Sequence, residues 1–156
     1  GVWPALWMMP EKSVYGNWPR SGEIDIVETI NEKSDELVTT IHYGHDYHRQ
    51  ISKTTFLNQL TKLSNPIDHN KISLIWEDKY FEWLLNDQLV FKVNFNEIEN
   101  LTPNPFLEEF YLLINVAVGG NWPGPPNSTM YCNSRNSCPD VKKLIVDYIA
   151  YYEKIN

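Results

Sequence analysis

The chain has 156 residues with a formal net charge of −7, and 42% of them are hydrophobic, which is enough for one sizeable core and a single domain by default. With 20 acidic against 13 basic residues and no run of lysine or arginine, nucleic acid or an anionic membrane surface is a poor partner, and a neutral ligand fits better. No apolar stretch approaches the ~18 residues expected of a membrane span.

Taken in chain order, Gly1–Pro10 is apolar from its first residue, which reads as the interior of a domain rather than a free end. Its two tryptophans, Trp3 and Trp7, suit a core as well as a cleft. Residues 11–22 form a loop rich in Gly, Pro and Asn that carries Trp18 and Arg20. Glu23-Ile-Asp-Ile-Val-Glu28 follows, three carboxyls inside a segment that otherwise reads as a buried strand. Regular pleating would send Glu23, Asp25 and Val27 to one face and Ile24, Ile26 and Glu28 to the other. A β-bulge at Ile26-Val27 inserts one extra residue and returns Glu28 to the face of Glu23 and Asp25, and bulges are common beside active sites. A helix does worse, placing Glu23 and Glu28 roughly 140° apart around the axis.

Leu37–His42 has the β-branched content of a second strand and ends at Tyr43-Gly44. Lys71–Glu77, Tyr80–Leu85 and Leu89–Val93 are short β-rich runs separated by Asp78-Lys79 and Asn86-Asp87-Gln88, the pattern of an antiparallel meander. Phe95–Leu101 suits a turn or two of helix. Phe110–Val118 is a long apolar strand closed by Gly119-Gly120, and Val141–Glu153 alternates well enough for a last strand. Many short strands with Gly/Pro/Asn turns indicate an all-β sandwich or jelly roll. Cys132 and Cys138 enclose a short polar loop; a disulfide fits there, and two free thiols fit the count nearly as well. The sequons Asn100-Leu-Thr and Asn127-Ser-Thr agree with a secretory route, and a secreted or extracellular protein is the expectation.

Five blocks in order resemble glycoside hydrolase family 16, and within it the laminarinase-like endo-β-1,3-glucanases with the bulged acidic motif. They are Gly1–Pro10, Tyr15–Glu28, Ile41–Gly44, Pro105–Gly124 and Val146–Tyr152. The resemblance implies a β-jelly roll of two curved antiparallel sheets with an open cleft for a polysaccharide. It covers the family's last two thirds, so residues 1–156 are expected to be one domain lacking its N-terminal strands, with a preceding segment or a second chain completing the sheet.

The resemblance also implies roles. Glu23 would be the nucleophile of a retaining glycosidase and Glu28 the general acid and base, the pair lying ~5–5.5 Å apart, with Asp25 between them as a hydrogen-bonding support. His42, Trp18 and Trp122 match polar and aromatic positions facing the sugar, and Arg20 and Asn115 are weaker candidates for hydroxyl contacts. His45, His48 and His69 have no such support and read as polar surface rather than a zinc site. No cofactor is required; some family members carry a structural calcium, for which Asp147 would be the corresponding ligand. The expected activity is retaining endo-hydrolysis of β-1,3-glucan, extending to mixed-linkage β-1,3-1,4-glucan. The alternative is a non-catalytic β-1,3-glucan recognition module, whose relatives typically lose one or both glutamates. The Val27 insertion argues against the unbulged xyloglucan transglycosylases.

Overall fold

The computed structural model describes residues 1–30, 33, 35–57, 69–126 and 143–154. The chain divides into two compact units, Gly1–Pro126 and Asn127–Asn156. The first carries the described strands: β1 (Val2–Pro10), β2 (Glu23–Glu28), β3 (Glu36–Tyr43), β4 (Arg49–Phe56), β5 (Ile72–Glu77), β6 (Tyr80–Leu85), β7 (Gln88–Asn94) and β8 (Phe110–Val118). They form a five-stranded sheet in the order β4-β3-β2-β1-β8 and a three-stranded sheet in the order β5-β6-β7. Every pairing is antiparallel. This is the two-sheet, all-β architecture expected from the sequence, and the meander and β8 lie where the turn residues placed them.

The core is the seam between the two sheets. Ile24 and Ile41, fully buried on the inner face of β2 and β3, pack with Phe81 and Trp83 from β6 and with Val93, Phe95 and Phe106. Phe81 is the hub of this seam, meeting Trp83, Phe95 and Phe106 edge-on with ring centroids 4.9–5.5 Å apart, the arrangement that aromatic quadrupoles favour. Gly22, immediately before β2, has φ +83°, and a Cβ there would lie 3.1 Å from the rings of Phe106 and Phe110. A bare backbone at this point lets β2 enter the sheet pressed against the aromatic seam.

Three segments depart from the sequence-based expectation. β1 is a full nine-residue strand, paired along its whole length with β8, although Pro4, Pro10 and apolar residues at adjacent positions hide its period of two. β4 was not anticipated, because as an outer strand it carries Gln50, Ser52 and Thr54 on one face and Lys53 and Thr55 among those on the other. The strand expected at Val141–Glu153 is corrected: described residues 143–154 have no regular structure, and Ile145, Tyr148, Tyr151 and Tyr152 are exposed. Alternation marks a segment suited to a pleated surface, but a strand exists only with a hydrogen-bonded neighbour. Within Phe95–Leu101, where a turn or two of helix was expected, Phe95–Glu97 forms one 3-10 turn. Cys132, Cys138 and the Asn127 sequon lie outside the described residues.

Candidate active site

The bulge expected in β2 is present. Against β3, Asp25 faces Thr40 while Glu28 faces Val38, so three steps along β2 match two along β3. Against β1, Val27 faces Leu6 and Asp25 faces Trp7, two steps against one. Residues directly opposed in an antiparallel pair share a face. With the extra residue absorbed, Glu23, Asp25 and Glu28 share a face with His42 and Thr40 of β3, Ala5 and Trp7 of β1, and Asn115 of β8. The opposite face of the same strands is the aromatic seam. One strand therefore supplies both the anchor and the acids, and Ile24 at 0% exposure fixes the backbone between Glu23 and Asp25.

Each glutamate receives an indole N–H. Trp18 Nε1 donates to Glu23 Oε2, and Trp3 Nε1 donates to Glu28 Oε1 at 2.9 Å. Trp3 meets Trp122 edge-on, with centroids 5.2 Å apart and planes at 90°. Trp7 Nε1 donates to Asn115 Oδ1 at 2.7 Å, which fixes the asparagine on the acid face. His42 Nε2 lies 3.0 Å from Asp25 Oδ2. The angle departs from a hydrogen bond, so Oδ2 of this buried aspartate has a close polar neighbour but no aligned donor among the described residues. Arg20 Nε donates to the His45 carbonyl at 2.9 Å, tying the Trp18 loop to the β3–β4 loop.

Electrostatics follow from burial. Glu23 is pushed up to about 7, first by burial and then by Asp25, with His42 and the Trp18 N–H pulling it back. Burial likewise pushes Asp25 up to about 7, opposed by its hydrogen bond with Glu23. Glu28 reaches about 7 through burial and then Asp25, opposed by the Trp3 N–H. Three interacting carboxyls this close titrate as a set and cannot all be charged at neutral pH. Chemically, the row holds a carboxylate and a carboxylic acid side by side, the pair that general acid and nucleophilic catalysis require.

Glu23, Asp25 and His42 are the only trio among the described residues with ligand atoms within 4.8 Å of one another. Glu23 already accepts from the Trp18 indole, and carboxyls that hold protons near neutral pH are weak metal donors. Asp147, the calcium-ligand candidate, is exposed and belongs to no such group among the described residues.

The sequence-derived residues Trp18, Glu23, Asp25, Glu28, His42 and Asn115 converge. Trp122 joins them through Trp3, and Arg20 acts as a tie between loops. The sequence left Trp3 and Trp7 open between core and cleft, and it gave His48 no role beyond polar surface. The spacing Trp3-Ala5-Trp7 would have placed both indoles on one face once Gly1–Pro10 was read as a strand beside the acids.

Paired half-buried carboxyls flanked by indoles on one face of a two-sheet all-β domain are the residue types found in glycosidase sites. Residues 1–74 match the family model described as XgeA-like, catalytic GH16 domain. The chain is 34% identical over 169 residues to glucan endo-1,3-beta-glucosidase A1 of Niallia circulans, covering 99% of this chain and 22% of that protein. It is 35% identical over 128 residues to glucan endo-1,3-beta-glucosidase of Cryptopygus antarcticus, covering 79% of this chain and 47% of that one. Its structure superposes on the laminarinase catalytic domain of Thermotoga maritima with a TM-score of 0.71 and 30% identity, over 85% of this chain and 53% of that one. The chain is thus similar to the catalytic domain of glycoside hydrolase family 16 and to its laminarinase-like members. It spans about a fifth to a half of the length of these relatives.

Proposed function

We propose that this chain carries the catalytic face of a secreted, retaining endo-β-1,3-glucanase. The observation that carries the reading is the pair of half-buried glutamates at the two ends of one bulged strand, on one face, each held by an indole N–H. In the first step the Glu23 carboxylate attacks the anomeric carbon as the glycosidic C–O bond breaks, and Glu28 gives its proton to the departing oxygen. In the second step the Glu28 carboxylate takes a proton from water, the water oxygen bonds to the anomeric carbon, and Glu23 leaves as a carboxylate. Asp25 supports the first step: together with burial, its charge raises the proton affinity of Glu28 and so favours an acid that still holds its proton.

Trp18, half exposed beside Glu23, and Trp122, partnered with Trp3 beside Glu28, are flat apolar surfaces on either side of the acid row. Sugar rings present apolar C–H faces to such indoles, so these two would stack on neighbouring glucosyl units while Asn115 and His42 address hydroxyls. The deciding experiment is release of reducing sugar from laminarin by wild type, Glu23→Gln and Glu28→Gln, with binding measured in parallel. Hydrolysis by wild type alone is expected. Binding without hydrolysis by all three would replace this reading with a glucan-recognition module, and preference for a sulfated galactan over laminarin, lichenan and xyloglucan would overturn the substrate.

A further inference from the structure

His48 stands in the loop between β3 and β4, and it is built into the acid row without touching an acid. Its Nε2 lies 2.8 Å from His42 Nδ1. Its ring stacks on His42 with centroids 5.0 Å apart, and on Trp18 with centroids 4.7 Å apart. The loop that carries it is constrained. Gly44 has φ +125°, and a Cβ there would fall 2.2 Å from the Tyr47 carbonyl oxygen. The Arg49 guanidinium lies 4.0 Å over the Tyr47 ring, and the Arg20–His45 tie holds the other side.

Two imidazole nitrogens at 2.8 Å share one proton, so one ring donates and the other accepts. Burial lowers the proton affinity of both rings, and each ring is therefore mainly neutral at neutral pH. Two arrangements remain. If His42 donates from Nδ1, its Nε2 turns a lone pair to Asp25 Oδ2 at 3.0 Å, which disfavours a charged Asp25. If His48 donates, the His42 proton sits on Nε2 and its positive edge faces Asp25, which favours the carboxylate. After burial, a charged Asp25 is the next cause that keeps the proton on Glu28.

We propose that His48 is a positioning residue: its Nε2–H, donated to His42 Nδ1, fixes the His42 proton on Nε2 and so holds Asp25 as a carboxylate beside the two glutamates. The consequence for turnover rests on the hydrolase reading above, whereas the tautomer assignment does not. Neighbours that orient a histidine in this way set which ring nitrogen carries the proton.

Two substitutions separate donation from stacking, and His48 is exposed enough to accept either. His48→Gln keeps an N–H donor at about the same reach; His48→Phe keeps a ring on Trp18 and removes the donor. Nitrogen-15 imidazole NMR on the glucan-free protein is expected to show the His42 proton on Nε2 in wild type and His48→Gln, and its partial transfer to Nδ1 in His48→Phe. On laminarin, His48→Phe is expected to lower kcat by about five- to tenfold with KM unchanged, the scale of one lost hydrogen bond, while His48→Gln stays within about twofold. A His42 spectrum unchanged by His48→Phe overturns the proposal, as does rescue of kcat by Phe but not Gln, which would assign His48 to stacking alone. A wild type inactive on laminarin would sink the hydrolase reading and leave the tautomer spectra to decide on His48.

Discussion

The two ends of the acid row hold the same residue type at the same elevated proton affinity, about 7 for Glu23 and for Glu28, yet they are built differently. The Glu23 end is polar: one indole N–H, the neighbouring Asp25, and the His42–His48 pair. The Glu28 end is aromatic: the Trp3 indole N–H with Trp122 packed edge-on behind it. Under the proposed mechanism the difference suits a division of labour within one strand. A nucleophile must lose its proton and keep its orientation, which a polar setting with a histidine nearby supports. An acid must hold its proton until the leaving oxygen arrives, which an apolar setting supports.

The comparison breaks most sharply if the ends can be exchanged. Glu23→Ala and Glu28→Ala are each expected to reduce turnover roughly a thousandfold or more. Added azide with an activated glucoside then sorts the roles by stereochemistry. Glu23→Ala should give the α-glycosyl azide by direct attack, and Glu28→Ala the β-azide by way of the glycosyl-enzyme. The reverse pattern would swap the two assignments.

A finer test removes only the indole donors. Trp18→Phe and Trp3→Phe keep a ring but delete the N–H that stabilises each carboxylate, so the adjacent proton affinity rises. In a pH–rate profile the nucleophile must be ionised and sets the acid limb, while the general acid must be protonated and sets the alkaline limb. Trp18→Phe is expected to move the acid limb to higher pH, and Trp3→Phe the alkaline limb to higher pH, each by about half to one unit. Movement of the same limb by both would erase the distinction between the ends.

The smallest effect is on stability, where the ends should agree. Each glutamate has a folded-state value of about 7, above its ordinary 4.5. The stability conferred by neutral, buried carboxyls is therefore fully present below about pH 4.5 and is lost as pH rises through 7. The thermal midpoint of wild type is expected to fall across that window. Glu28→Gln, which needs no deprotonation, should match wild type at pH 4 and exceed it by ~2–4 °C at pH 8. A pH-independent difference would contradict the elevated proton affinities.

Legibility in the sequence followed the pattern of burial. β2 could be read with its bulge because three acids among aliphatic residues allow only one register that keeps them together. The meander β5–β7 was marked by its turn residues, and Trp83 within it is fully buried at 0% exposure. β1 was hidden because apolar residues line both of its faces, and with it went the roles of Trp3 and Trp7. β4 was hidden for the opposite reason, polar residues on both faces of an outer strand. His48 left no signal, since its importance comes from a loop returning to stack on Trp18, a contact across 30 positions.

The bulge at Ile26-Val27 also governs which length changes this strand can survive. Loss of one residue at Ile24 would put the remainder of β2 out of frame, turning an acid toward the aromatic seam and an aliphatic side chain toward the open face. Loss of Ile26 or Val27 would leave Glu-Ile-Asp, one aliphatic residue and Glu, a plain alternation with all three acids still aligned. The extra residue is thus the one site in β2 where a codon can be deleted without inverting the strand. Chains one residue shorter at this point would differ in how far the last acid reaches, not in which way it faces.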